Sequence, residues 1–324
     1  YILTGSDKRN LKSNEAALKY FLLGSFSTGL LLLGIAFFYG ARGNFSATVS
    51  VDPTVVASSL QLASLLLLLF AMSFKVSVAP FHFWTPDVYD GTPTVFTSFM
   101  ATIVKAAGFF AFLKLFESAF GKFQADWQVL MAVVATLTLV IGNITAVFQQ
   151  SVKRMLSYSS IAQAGFMMLG VFAMNIFAKQ GMILYFASYS IATIGIFAVL
   201  SKFKDHSIDA FNGFAKKHPL VAFSMLICIL SLAGIPLTAG FFAKYYMLLA
   251  VIKDGNFLWL AIVAILCAAV SVYYYFRVVQ AMYFKEPNNE EELAFSPSFR
   301  FILLGAAIII LVLGIHPDYL TGLL

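Results

Sequence analysis

Long apolar runs separated by short polar segments fill almost the whole chain. A transmembrane helix needs about 20 consecutive, mainly apolar residues. With a window of that length, nine such runs are found, at 16–39, 56–80, 93–118, 128–149, 157–175, 181–201, 219–251, 257–284 and 299–321. The pattern predicts an all-α polytopic membrane protein with about nine transmembrane helices, forming a single transmembrane domain over residues 1–324.

Two of these runs contain residues that interrupt helices. The run 219–251 is too long for one straight crossing, and its segment "AGIPLTAGFF" holds Gly234, Pro236 and Gly240. The run 56–80 ends at Pro80, which removes one backbone donor and frees a carbonyl one turn earlier. Because hydrocarbon does not tolerate unpaired backbone groups, both segments predict broken helices that line a hydrated cavity.

Composition and motifs narrow the class further. The chain is 60% hydrophobic and 11% charged, with a mean hydropathy of +0.87, whereas soluble domains are about half apolar and a quarter charged. The net charge of +6 is spread without a basic stripe, which argues against a nucleic-acid partner. Cys228 and Cys267 lie in apolar runs without metal-ligand spacing, and no nucleotide-binding glycine motif is present. We therefore expect no metal site and no bound cofactor on this chain.

Basic residues between the runs predict the orientation in the membrane. Eleven lie on one side and five on the other, and positive charge favours the cytoplasm. The cytoplasmic set is Lys8, Arg9, Lys12, Lys153, Arg154, Lys202, Lys204, Lys216, Lys217, Lys285 and Arg300; the outer set is Arg42, Lys114, Lys122, Lys179 and Lys253. This places the C-terminus on the outer side. Since the first residue is Tyr1, we also expect the chain to be part of a longer protein.

Three lysines remain inside the predicted spans. Lys105 and Lys244 lie well within apolar sequence, where a lysine costs about 3 kcal/mol on insertion scales. Lys75 lies five residues before Pro80 and either extends to the interface or faces the cavity that the break opens. His82 follows Lys75 by seven residues and titrates near neutral pH. We interpret these residues as proton carriers, with purely structural roles as the alternative.

Three more charged residues lie at the edges of spans. Glu15 and Lys19 are four residues apart, so an exposed ion pair explains them as well as a proton-transfer role does. Arg277 lies among tyrosines near the inner end of its run, where interfacial anchoring is expected.

Four sequence blocks together resemble a known family. They are "FKVSVAPFHFWTPDVYDGTPTVFTSFMATIVKAAG", "NEAALKYFLLGSFSTGLLLLGIAFFYG", "VKRMLSYSSIAQAGFMMLG" and "LAGIPLTAGFFAKYYML". They are similar to the antiporter-like membrane subunits of respiratory complex I, the bacterial proton-translocating NADH:quinone oxidoreductase, and most similar to its subunit N branch. The short C-terminal end and Lys244, where another branch has a glutamate, favour that branch.

The resemblance implies a fold and a set of functional residues. The family's fold has fourteen helices with two inverted repeats, each with one discontinuous helix, and this chain would hold the sixth to the fourteenth. Lys75 matches the central proton-carrying lysine, Lys105 the lysine of the connecting helix and Lys244 that of the second half-channel, with His82 at the family's spacing. The family's glutamate partner of Lys75 lies on the fifth helix, upstream of Tyr1, so Glu15 does not correspond to it.

The resemblance also implies a function and partners. The chain would translocate protons without redox chemistry of its own, in a bacterial inner membrane, while NADH, FMN, iron–sulfur clusters and quinone bind partner subunits. Its partners would be the lipid bilayer and other membrane subunits of complex I, especially neighbouring antiporter-like ones. Two alternatives stay open: a subunit of a multisubunit sodium/proton antiporter, and a passive membrane scaffold.

Overall fold

The computed structural model describes residues 1–46, 58–287 and 293–322, and almost all of them are helical. The first two residues of the predicted run 56–80 lie outside the described residues. The helices are α1 Leu11–Arg42, α2 Ser59–Lys75, α3 Trp84–Gly91, α4 Thr94–Phe99, α5 Lys105–Phe120, α6 Gln124–Val147, α7 Val152–Ala173, α8 Ile176–Leu200, α9 Phe214–Lys217, α10 Pro219–Ala233, α11 Ala239–Asp254, α12 Leu258–Phe284, α13 Pro297–Ile315 and α14 Asp318–Thr321.

Six helical stretches of the described chain are long and apolar enough to cross a membrane. They are Leu11–Arg42, Thr94–Val147, Val152–Ala173, Ile176–Leu200, Leu258–Phe284 and Pro297–Ile315. Thr94–Val147 has 54 residues, about 80 Å of helix against a hydrocarbon core of about 30 Å. A 3₁₀ turn at Gly121–Phe123 divides it into two parts. Ser59–Lys75 and Pro219–Ala233 are shorter apolar helices, because each belongs to an interrupted pair.

Both predicted interruptions are confirmed. The first lies between α2 and α3, where residues 76–83 include Pro80 and do not form regular helix. The second lies between α10 and α11, where Gly234 ends α10 in the left-handed conformation and Pro236 follows. In each case the backbone chemistry of proline and glycine stops the helix inside an apolar run.

Helix α7 forms the centre of the molecule. Its apolar window is 94% buried, against 22% for α1 and α13 at the periphery. It packs against α3, α5, α6, α8, α11 and α12. Since α3 and α11 are the second halves of the two broken helices, α7 contacts both interrupted regions.

Candidate functional site

Lys105 is buried in the interior and bound to α7. Its side chain is 2% exposed, and its ammonium donates to the carbonyl of Ser160 at 2.9 Å and to the Ser160 hydroxyl at 2.5 Å. A π-helical turn at Met100–Val104 directly precedes it. Such turns insert one extra residue and are frequent at functional sites. Here the turn comes just before the lysine that the sequence singles out.

Polar side chains continue from Ser160 through the protein interior. The Tyr189 hydroxyl of α8 donates to the Ser160 hydroxyl at 3.0 Å. One turn earlier, the Tyr185 hydroxyl donates to the side-chain oxygen of Gln163 on α7. The Gln163 amide donates in turn to the Tyr275 hydroxyl at 3.2 Å and to the carbonyl of Leu232 at 2.9 Å. All of these hydroxyl and amide groups are buried. They form two hydrogen-bonded groups, one around Ser160 and one around Gln163, and within the described residues no hydrogen bond joins the two groups.

Lys244 lies beside the group around Gln163. It is 6% exposed, and its ammonium donates to the carbonyls of Leu232 and Ala233, both at 2.9 Å. These carbonyls end α10, so the cation sits where the helix dipole is negative. The Phe166 ring of α7 lies 5.0 Å from the ammonium. Because the Leu232 carbonyl accepts from both Gln163 and Lys244, this group joins the second break to α7.

A narrow cavity separates the two lysine environments. Its volume is about 10 Å³, close to the lower limit for one water molecule. The residues that line it are Gln163, Tyr185, Ser188, Tyr189, Ser231, Leu232, Gly240 and Lys244. Among the described residues, the polar group bound to Lys105 and the one bound to Lys244 therefore meet only at this space for water. Such an arrangement can carry protons.

The sequence reasoning did not single out these connecting residues. A signal was available, since "SYSSIAQ" concentrates small polar side chains within an apolar run. Tyr185 and Tyr189 are also four residues apart and share one face of α8. What the sequence could not show is which faces of α5, α7, α8 and α11 point toward one another.

Lys75, for which the sequence left two positions open, is exposed in this chain. It ends α2 and lines a cavity of about 50 Å³ together with Tyr20 and Trp84. The Trp84 indole donates to the Phe74 carbonyl at 3.1 Å, which satisfies a backbone group beside the break. His82 is half-buried, and within the described part of the chain no hydrogen bond joins Lys75 or His82 to Lys105. The structure therefore does not bring Lys75 and His82 together with the buried lysines Lys105 and Lys244.

Glu15 and Lys19 form the ion pair that their spacing predicts, at 2.7 Å. Lys19 also binds Asp87 of α3 at 2.9 Å, and Asp87 binds Arg154 of α7 at 3.3 Å. All four side chains are about 40% exposed or more, so each pair is worth about 0–1 kcal/mol. Asp87 is the member that the sequence reasoning missed.

Two basic residues have more specific positions than expected. Arg277, expected as an interfacial anchor, donates to the carbonyls of Val147 and Gln149 at 2.7 and 3.2 Å. It therefore caps the C-terminal end of α6. Lys153, counted among the loop charges, is instead buried, with 4% exposure.

A resident metal ion would need a cluster of ligating side chains. Across residues 1–46, 58–287 and 293–322, no group of three or more His, Cys, Asp or Glu side chains is placed to hold one.

The sequence of this chain matches a known family of membrane proteins. The sequence pattern described as "NADH:quinone oxidoreductase/Mrp antiporter, TM" matches residues 1–271. This chain belongs to that family. The NADH-quinone oxidoreductase subunit N of Cytophaga hutchinsonii is 43% identical over 99% of the chain and 70% of the relative. The chain is a multi-pass membrane protein of this family.

Solved structures of the NADH:quinone oxidoreductase/Mrp family show the same fold. A chain of respiratory complex I from Thermus thermophilus has a TM-score of 0.85 and 36% identity, covering 97% of this chain and 70% of its own. A chain of the Mrp complex from Dietzia has a TM-score of 0.86, covering 97% of this chain and 67% of its own, but only 20% identity, so it shows the fold alone. The chain thus spans about two thirds of the length of the proteins it matches.

Proposed function

We propose that this chain is a proton-translocating, non-redox membrane subunit of an NADH:quinone oxidoreductase. The observation that carries the proposal is that the buried polar groups bound to Lys105 and to Lys244 border the same narrow cavity. Among the described residues, neither lysine has a carboxylate in salt-bridge contact. Their ammonium groups bind neutral carbonyl and hydroxyl oxygens, which suits groups that change protonation during a cycle.

The proposed route runs from the first interrupted helix to the second, with water completing the steps that no direct hydrogen bond spans. A proton enters from the cytoplasm at Lys75 and passes His82 and water to Lys105. From there it moves through Ser160, Tyr189 and the narrow cavity toward Lys244, and then to the outer side. A charge on one lysine disfavours a charge on its neighbour, so protonation upstream drives release downstream. Glu15 and Lys19 take part in this route only at its cytoplasmic entrance.

Electron transfer would take place on partner subunits. NADH, FMN, the iron–sulfur clusters and quinone bind there in this proposal, and neighbouring antiporter-like subunits flank the chain in a bacterial inner membrane. The chain crosses that membrane nine times with its C-terminus outside, and its two interrupted helices belong to inverted repeats. The interruptions, one in each half of the chain, support this arrangement.

Two other functions predict different behaviour. A subunit of a sodium/proton antiporter would share the buried lysines but would not co-purify with flavoprotein subunits. If the chain were a passive scaffold, transport would stay intact when Lys75 or Lys105 is replaced by an apolar residue of similar size. The 43% sequence identity to the NADH-quinone oxidoreductase subunit N of Cytophaga hutchinsonii favours the oxidoreductase subunit.

The first test replaces Lys105 in the full-length subunit. Lys105→Ala and the similarly sized Lys105→Met should lower both proton pumping and NADH oxidation in membrane vesicles. Loss of one general acid–base group corresponds to about 10²-fold or more. The matched control is Lys114→Met, since Lys114 lies on the same helix but is exposed. Assembly is checked on a native gel. Pumping that stays at the wild-type level in an assembled Lys105 variant contradicts the proposed route.

A further inference from the structure

The C-terminal end of half-helix α3 lies between two other helices. The last carbonyls of a helix have no partner within it. The Val88 carbonyl of α3 accepts from the Thr92 hydroxyl at 2.6 Å, and the Tyr89 carbonyl accepts from the Thr97 hydroxyl at 3.0 Å. The carbonyl of Asp90, and that of Thr92 in addition to a 3.3 Å bond from the Thr97 hydroxyl, accept from a donor on another helix.

That donor is Lys153, the second residue of α7. Its ammonium donates to the Asp90 carbonyl at 2.9 Å and to the Thr92 carbonyl at 2.6 Å. Arg154, the next residue, pairs with a carboxylate at the surface, whereas Lys153 is buried against neutral backbone oxygens. A buried ammonium group is costly unless it is hydrogen-bonded, and at the C-terminal end of α3 it also faces the negative end of the helix dipole.

The opposite side of this helix end is equally confined. A Cβ atom at Gly91 would lie 2.4 Å from the Lys12 carbonyl of α1, so only glycine fits where α3 meets α1. The end of α3 is thus held between α1 and the ammonium of Lys153. Movement of α3 away from α7 would remove the Lys153 donor from the Asp90 and Thr92 carbonyls and leave Thr92 with only the Thr97 hydroxyl.

Lys153 and the proton-transfer network share one rigid element. Ser160, which binds Lys105, lies seven residues after Lys153 on α7, about two helical turns or 10 Å along it. Since α3 follows the first break directly, holding its end on α7 sets the position of the Lys75–His82 region relative to Lys105.

We propose that Lys153 is a positioning residue: it holds the end of the first broken helix on α7 and so aligns that break with the buried network at Ser160. The expected effect on pumping rests on the proposed proton translocation. The contact between Lys153 and the end of α3 does not depend on that proposal. Lys153 acts through backbone carbonyls and takes no proton on the route.

The test compares Lys153→Met, Lys153→Gln and Lys153→Arg in the full-length subunit within its assembled complex. The control is Lys204→Met, an exposed cytoplasmic lysine. Hydrogen–deuterium exchange is followed on the segment 84–92, and the protons pumped per NADH oxidised are measured in vesicles. With Met, exchange in 84–92 should be about tenfold faster, which corresponds to about 1.4 kcal/mol of local stability, and the pumping ratio should fall.

The other variants keep the test decisive. Arginine retains the charge and several donors, so it should restore both slow exchange and pumping, and the Lys204 control should match wild type. If the Met variant does not assemble, the Gln variant, with a shorter and uncharged donor, should still show faster exchange in 84–92. Unchanged exchange in both variants overturns the inference. Absence of pumping in the wild type would refute the proposed function instead, without affecting the exchange result.

Discussion

Two buried lysines form contacts between α7 and a neighbouring helix, and their partners differ. Lys105 binds the Ser160 hydroxyl, which has a further hydrogen bond to Tyr189 and so leads onward. Lys153 binds only the backbone carbonyls of Asp90 and Thr92. Because a carbonyl has no proton to pass on, the contacts of Lys153 end there. At the residue scale, Lys105 has a hydroxyl partner that leads onward and Lys153 has none.

His206, in the loop after α8, predicts how stability depends on pH. Burial lowers the pKa of the His206 imidazole from its usual 6.5, and the charge of Lys153 lowers it further, while Asp90 and Asp205 oppose this. The folded state therefore favours the neutral ring. The neutral His206 ring contributes fully to the stability of the folded state above about pH 6.5. This contribution is lost as the pH falls through the lower folded-state pKa of His206.

The prediction is checked on the purified full-length complex. Thermal midpoints of wild type and His206→Gln are compared from about pH 8 to pH 5, the range in which histidine titrates. Wild type should lose more stability than the variant below pH 6.5. Parallel curves would show that His206 does not titrate with folding.

At the scale of single helices, the two breaks satisfy their freed backbone groups in different ways. Beside the first break, the Phe74 carbonyl accepts from the Trp84 indole. At the second, the carbonyls that end α10 accept from Lys244 and Gln163. The second break therefore depends on residues of the proton-transfer network, and a change in its backbone should reach Lys244 directly.

Gly234 provides a test of that connection. Its φ is +82°, and an added Cβ would lie 2.9 Å from the Lys244 Cδ atom. Gly255 has the same φ of +82° with no atom within 4 Å of such a Cβ. Gly255→Ala should therefore cost only the backbone strain, about 1–2 kcal/mol. Gly234→Ala should cost more than this and also lower pumping, because the Lys244 side chain must move.

The measurement is the thermal midpoint of each assembled variant together with its pumping rate. Gly255→Ala separates backbone strain from the contact with Lys244. Equal losses of stability and equal pumping in the two variants would show that the position of Lys244 does not depend on Gly234.

For the whole molecule, the distribution of charge predicts the orientation in the membrane, and this can be tested directly. The basic residues predict that Lys204 lies in the cytoplasm and Lys253 outside. Both are exposed, and the natural Cys228 and Cys267 are 0% and 8% exposed, so background labelling should be low. In sealed vesicles of known orientation, a membrane-impermeant maleimide should label Lys204→Cys from the cytoplasmic side and Lys253→Cys from the opposite side. Labelling of both from one side would contradict the alternating topology.

The sequence by itself determined the membrane class, the positions of both interrupted helices and the burial of Lys105 and Lys244. These are local properties, since apolar run length and the backbone chemistry of proline and glycine act within one segment. Only the tertiary structure decided that Ser160 binds Lys105, that Gln163 and Lys244 share the Leu232 carbonyl, that Lys75 is exposed in this chain and that Lys153 is buried. Such contacts join residues that are distant in the chain, and they depend on how each helix is rotated and packed against its neighbours.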